Sequence, residues 1–140
     1  KTQGLVSALS FGEIKTHKSV LLKPVAQPYR KECWQVSDEL AGGVAQVQRS
    51  VQASLANIRS KIELKDASGA PTGETLFMYQ PRSFLVIGSL SEFHVAQGIN
   101  EEKYSSFELF RRSLNAPEIV TFDELYERAK YIVESTGAAK

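Results

Sequence analysis

Cysteine is nearly absent: Cys33 stands alone, so no disulfide can form within the chain. A single Cys beside Trp34 reads as a buried reduced thiol rather than a nucleophile, and it leans toward the cytoplasm. No apolar run approaches the ~20 residues of a membrane span, and no secretory leader is visible. Charge of one sign is missing too. Seventeen Lys and Arg against sixteen Asp and Glu leave a formal net charge of +1, so bulk charge does not advertise nucleic-acid binding. A DNA-binding surface has to come from local clustering of Lys and Arg. There is no Ser/His/Asp pattern, no metal–thiolate cluster and no phosphate-cradling glycine loop. Nor is there an initiator Met. The chain opens directly into strand-like sequence, as a piece cut from a longer protein would.

What is present suits one domain. The 140 residues are 42% hydrophobic and 24% charged, enough to bury a core without staples. Leu5 to Lys15 (LVSALSFGEIK) alternates loosely, as a strand with one buried face does. Val20 to Leu22 extends or follows it, and the two prolines between Pro24 and Tyr29 predict an extended loop. Ser37 is a good helix N-cap, and Asp38 and Glu39 suit the dipole of a first turn. From there Leu40, Val44, Val47, Val51, Leu55, Ile58 and Ile62 form one apolar stripe, predicting a long helix. Gly42-Gly43 costs that helix about 1 kcal/mol per residue against Ala, which suggests close packing there.

Asp66 to Gly73 is turn-rich, flanked by Ile62–Leu64 and Leu76–Tyr79 as a hairpin or an excursion. Ser83 to Leu90 reads as a buried central strand. Asn100 caps a helix with Tyr104, Phe107, Phe110 and Leu114 facing inward, and Arg111 and Arg112 on its solvated face. Ile119-Val120 is a short strand. Thr121 and Glu124 form a capping box for a last helix with Leu125, Ala129, Ile132 and Val133 on its apolar side. Strands alternating with helices imply an α/β domain with a mixed sheet over residues 1–135, followed by a tail at 136–140.

Glu13-Ile14-Lys15 is the sharpest chemical feature. Residues two apart on a strand share a side, so carboxylate and ammonium converge while Ile14 turns into the core. A carboxylate suits Mg²⁺, a hard cation, and a lysine can steady a phosphoryl transition state. The same tripeptide pattern recurs as Glu63-Leu64-Lys65 and Glu101-Glu102-Lys103, and a solvated ion pair is the competing reading of each. Only Glu13-Ile14-Lys15 follows an apolar strand and precedes a long helix. Gln46, beside the helix stripe on a flank shared with Gly43, Ser50 and Ala53, can reach water, Lys15 or a phosphate. The alternative for Gln46 is a side chain reaching solvent. His17 is either a DNA or metal contact or simply exposed. Lys15, Lys18, Lys23, Arg30 and Lys31 cluster as a possible phosphate rim.

The strand FGEIK, Tyr29-Arg30, the helix SDELAGGVAQVQ and the blocks PRSFLVIGSL, NEEKYSSFELFRRSL and PEIVTFDELYERAKYIVE resemble the nuclease domain of the Shedu anti-phage defence proteins. The resemblance covers nearly the whole chain. It implies a PD-(D/E)xK restriction-endonuclease-like mixed sheet flanked by helices, and DNA cleavage or nicking dependent on Mg²⁺ or Mn²⁺. It also implies a homo-oligomer (a tetramer) in the bacterial cytoplasm. On this resemblance Glu13 is the metal-binding acid, Lys15 the motif lysine and Gln46 the helix glutamine, with His17, Lys18 and Arg30 touching DNA. One departure stands out: the family pattern needs a metal-binding Asp on the strand before Glu13, and residues 1–12 contain no Asp or Glu. That Asp is expected upstream of Lys1, which would leave this fragment a poor nuclease by itself. The alternative is a catalytically inactive nuclease-fold module that binds DNA or oligomerises.

Overall fold

The computed structural model describes residues 6–57 and 61–137. Strand β1 (Val6–Ile14) leads through an irregular loop to helix α1 (Asp38–Asn57), then to β2 (Lys61–Lys65) and β3 (Pro71–Val86). A single 3-10 turn (Leu90–Phe93) and the small ribbon β4 (His94–Val95) and β5 (Gly98–Ile99) follow. Helix α2 (Glu101–Ser113), strand β6 (Glu118–Val120) and helix α3 (Phe122–Gly137) complete the order.

β3 organises the sheet. It pairs parallel with β1 along one edge, and on the other it pairs antiparallel with β2 and parallel with β6. The fold is therefore α/β with a mixed sheet, as the alternation of elements implied. The hairpin reading holds, with Ile62 opposite Leu76. Asp66 shapes its turn by accepting from the Ser68 hydroxyl and the Ser68 and Ala70 amides, which hold its carboxyl below the usual value.

Four expectations about the elements need correction. The apolar stripe of α1 does not continue to Ile62: the helix ends at Asn57 and Ile62 belongs to β2, while Ile58 lies outside the described residues. Leu76–Tyr79 and Ser83–Val86 are not separate strands but one, β3, interrupted by a bulge. Ala8 pairs with Phe77 and Ser10 with Arg82, and Gln80 within the bulge takes a φ of 46°. Cys33 is exposed rather than buried, at the end of the turn closed by the Cys33 N–H donating to the Arg30 carbonyl. Ile14 does not enter the core. It is 71% exposed, because α1 covers only the opposite face of β1.

The core lies between the sheet and α1, with α2 closing one side: Leu40, Val44 and Val47 meet Leu21, Leu22, Leu85, Ile87, Phe93 and Phe107. Ser37 caps α1 as its sequence suggested. Its hydroxyl accepts from the Leu40 amide at 3.0 Å and donates to the Val20 carbonyl at 2.6 Å, which ties the helix start to the segment leaving β1. Glu92 fastens the same segment by accepting from the Leu21 and Leu22 amides. On α3 the expected apolar side exists but is uncovered, with Leu125, Ile132 and Val133 all exposed. The helix also runs to Gly137, past the start of the expected tail, and 138–140 lie outside the described residues.

Arg111 is not on a solvated face. It grips Glu124 through paired bonds of 2.8 Å and also meets Glu108, which binds Arg112 at 2.9 Å. Burial by itself would raise the Glu124 carboxyl, but hydrogen bonds from Arg111 and Thr121, and the Arg111 charge, hold it at about 2 against an ordinary 4.5. A carboxyl lowered in the folded state lends stability above its unfolded value and loses it as pH falls through the folded one. Thermal melts should therefore show stability falling from about pH 4.5 toward about 2. Glu124→Gln should flatten that part of the profile, and an unchanged profile would show that the pair does not couple to folding.

Candidate active site

Strand alternation decides what faces α1. Phe11, Glu13 and Lys15 are half-buried beneath the helix, whereas Gly12 and Ile14 point away. The Lys15 amide donates to the Val86 carbonyl at 2.9 Å, so the ladder with β3 holds its backbone where the strand ends. From there its side chain runs along α1. The ammonium lies 3.5 Å from Glu13 Oε1, 3.4 Å from Glu39 Oε1 and 3.2 Å from Gln46 Oε1. Side-chain exposure is 22% for Lys15 and 26% for Glu13, so the pair is shielded yet reachable.

The glycine that seemed wasteful in α1 explains how the lysine fits. A Cβ on Gly43 would stand 3.1 Å from both Leu85 methyls and 3.6 Å from Lys15 Cε. Gly43 thus leaves a trough between the helix and the sheet, and the Lys15 stem lies in it. Gly42, by contrast, has nothing near it. Gly43→Val should press Leu85 and the Lys15 stem apart, at a cost of about 1–3 kcal/mol in denaturation. It should also disturb the lysine more than any surface substitution on α1. An unaffected melt would show that the trough is not tight.

Glu13, Lys15 and Gln46 are brought together, as expected. His17 and Lys18 follow on the exposed loop, where His17 lies edge-on to Phe122 at 6.1 Å and borders a cleft with Lys18, Ser89 and Ser91. Arg30 stacks over Tyr29 at 5.7 Å on the separate turn before α1. Lys23 is paired with Asp38 at 3.1 Å and Lys31 with Glu32 at 3.7 Å. Among the described residues Lys18 and Arg30 therefore remain the basic side chains of that cluster without a carboxylate partner.

Residues 1–126 match the family described as Shedu protein SduA, C-terminal. The chain belongs to the Shedu family. No curated protein matches it. The family match spans β1, α1 and the whole of the Glu13–Lys15–Gln46 cluster, and it stops within α3.

In this Shedu chain the residue that sequence reasoning missed is Glu39. Its place in the first turn of α1 gave it a complete explanation as a partner of the helix dipole. Its contact with Lys15 comes from packing α1 on β1, which no local pattern encodes. The other Glu-x-Lys sites are elsewhere: Glu63 and Lys65 lie on β2, and Lys103 sits over the Trp34 ring at 4.4 Å. A cleft of about 560 Å³ opens under the far end of α1, lined by Val51, Leu55, Arg82 and Asn115. It lies away from the Glu13–Lys15 pair, neither of which lines it.

Proposed function

We propose that this Shedu domain hydrolyses DNA phosphodiester bonds with the help of a divalent metal, nicking or cleaving DNA in bacterial anti-phage defence. The observation that carries the reading is the convergence of Glu13 and Lys15 beneath α1, with Gln46 bonded to the lysine. Family membership supports it, as does the sequence resemblance to the Shedu nuclease domain, which implies a PD-(D/E)xK fold.

The donors present fit part of a metal site. Mg²⁺ uses one or two protein carboxylates, with waters and phosphate oxygens completing its shell. Glu13 fits one such ligand. Among the described residues no group of His, Cys, Asp and Glu could hold a metal unaided. The resemblance implies a second carboxylate, an Asp, beside Glu13. When bound, the ion supplies Lewis-acid polarisation of the phosphate and a more acidic water.

The chain's own groups do the rest. Lys15 counters the charge that develops on the phosphate oxygens, an effect that grows as water is excluded from the site. Gln46 accepts from the ammonium and fixes its direction, leaving its own amide hydrogens for a phosphate or water. His17, Lys18 and Arg30 contact the backbone and set its course across the site. The protein acts as a homo-oligomer in the cytoplasm, and the uncovered apolar side of α3 offers surface for assembly. Among the described residues no helix is long and apolar enough to cross a membrane.

The test is nicking of supercoiled plasmid by the full-length parent in Mg²⁺ or Mn²⁺. Conversion to open circles, abolished by EDTA, supports the reading. Salt-dependent DNA binding with no cleavage of plasmid, linear or phage DNA would replace it with an inactive DNA-binding module.

A further inference from the structure

Lys15 has more partners than one metal-binding carboxylate can serve. Glu13 would be needed twice in the proposed reaction, once for the metal and once for the lysine, and a dication held by Glu13 would repel the ammonium beside it. A second carboxylate is already in place. Glu39 Oε1 stands 3.4 Å from Lys15 Nζ, on the α1 face that carries Gly43 four residues on and Gln46 seven on. That spacing lines the three up along one side of a helix. Together they form a cradle: Glu39 at one end, the Gly43 trough beneath the stem and the Gln46 carbonyl at the other end.

We propose that Glu39 is a positioning residue for Lys15, one that would hold the ammonium in its working place while Glu13 serves a divalent metal. The inference rests on the reading of Glu13 and Lys15 as a phosphodiester-cleaving pair. Glu39 is 53% exposed, so its hold is partly screened and the effect is graded rather than absolute. The helix dipole does not require this contact. A residue that serves the dipole alone stabilises α1 equally whether or not Lys15 is present.

The experiment uses the full-length protein with Glu39→Gln, Glu39→Asp and Lys15→Ala, single and combined. In single-turnover plasmid nicking at saturating Mg²⁺, Glu39→Gln should lower the rate about 10–100-fold, the range for partners that orient a working group. KM for DNA and the Mg²⁺ concentration for half-maximal rate should stay within about twofold of the parent. Glu39→Asp, which keeps the charge on a shorter arm, should recover part of the loss, and it serves alone if the glutamine variant fails to fold. In EDTA, without activity as the readout, the melting shift caused by Glu39→Gln should shrink in the Lys15→Ala background.

Parental cleavage by Glu39→Gln, with Lys15→Ala dead, would overturn the inference and leave the active site standing. A roughly tenfold rise in the Mg²⁺ requirement would also overturn it, making Glu39 a metal ligand. An equal melting shift in both backgrounds would return Glu39 to a dipole role alone. Parental cleavage by Lys15→Ala would remove the underlying site as well.

Discussion

Replacing Lys15 with alanine in the full-length parent is expected to lower metal-dependent plasmid nicking by about 10²–10³-fold, the scale for losing one preorganised transition-state contact. Folding should survive. Lys15 is at the end of β1, and its backbone bond to Val86 does not depend on the side chain. What changes is electrostatic, since removing the ammonium deprives the Glu13 and Glu39 carboxylates of the cation both of them touch. A stability loss of about 1 kcal/mol or less follows, in keeping with partly exposed pairs. Near-parental melting with lost cleavage is thus the signature to look for. Near-parental cleavage would move the chemistry away from this cluster.

The largest structural effect is expected at Gly88. Its φ of +61° is left-handed, and a Cβ there would come within 2.6 Å of the Ser19 carbonyl oxygen and 2.7 Å of Leu21 Cδ2. Backbone oxygen cannot move aside as a flexible side chain can. Gly88 also ties two segments together: its amide donates to Thr16, directly after Lys15, and its carbonyl accepts from Phe122 at the start of α3. Gly88→Ala should cost about 2–5 kcal/mol, combining left-handed strain with overpacking. Cleavage should fall with it, because the loop leaving the lysine is displaced. Chemical denaturation that finds less than about 1 kcal/mol would show that this junction has slack.

The same particulars show where sequence patterning succeeds. The start of the α1 stripe (Leu40, Val44 and Val47), the Ser37 cap and the Asn100 and Thr121–Glu124 caps are local, and each was legible because period and capping chemistry act over a few residues. Gln46 and the costly Gly43 were legible because both needed a neighbour and the strand before them offered one. Failures came where the deciding contact is distant. Ile62 continued the helical period by accident, since it is one of the apolar positions of β2. Leu76–Tyr79 and Ser83–Val86 read as separate segments, while pairing with β1 on both sides of the bulge makes them one strand. Arg111 read as solvated until α3 brought Glu124 to it. Ile14 was placed in a core because alternation fixes which residues share a face, not which face is covered. Glu39 already had a sufficient local explanation, so nothing in the pattern asked for another.

Whether Glu13 and Lys15 cut DNA or only hold it is decided by one paired measurement on Glu13→Gln. Plasmid nicking in Mg²⁺ and equilibrium DNA binding across a salt series are measured on the same preparation. The expected result is binding with an unchanged salt slope, since no phosphate-contacting cation is lost, together with loss of nicking by about 10²-fold or more. Nicking at the parental rate, with binding intact, would contradict the account.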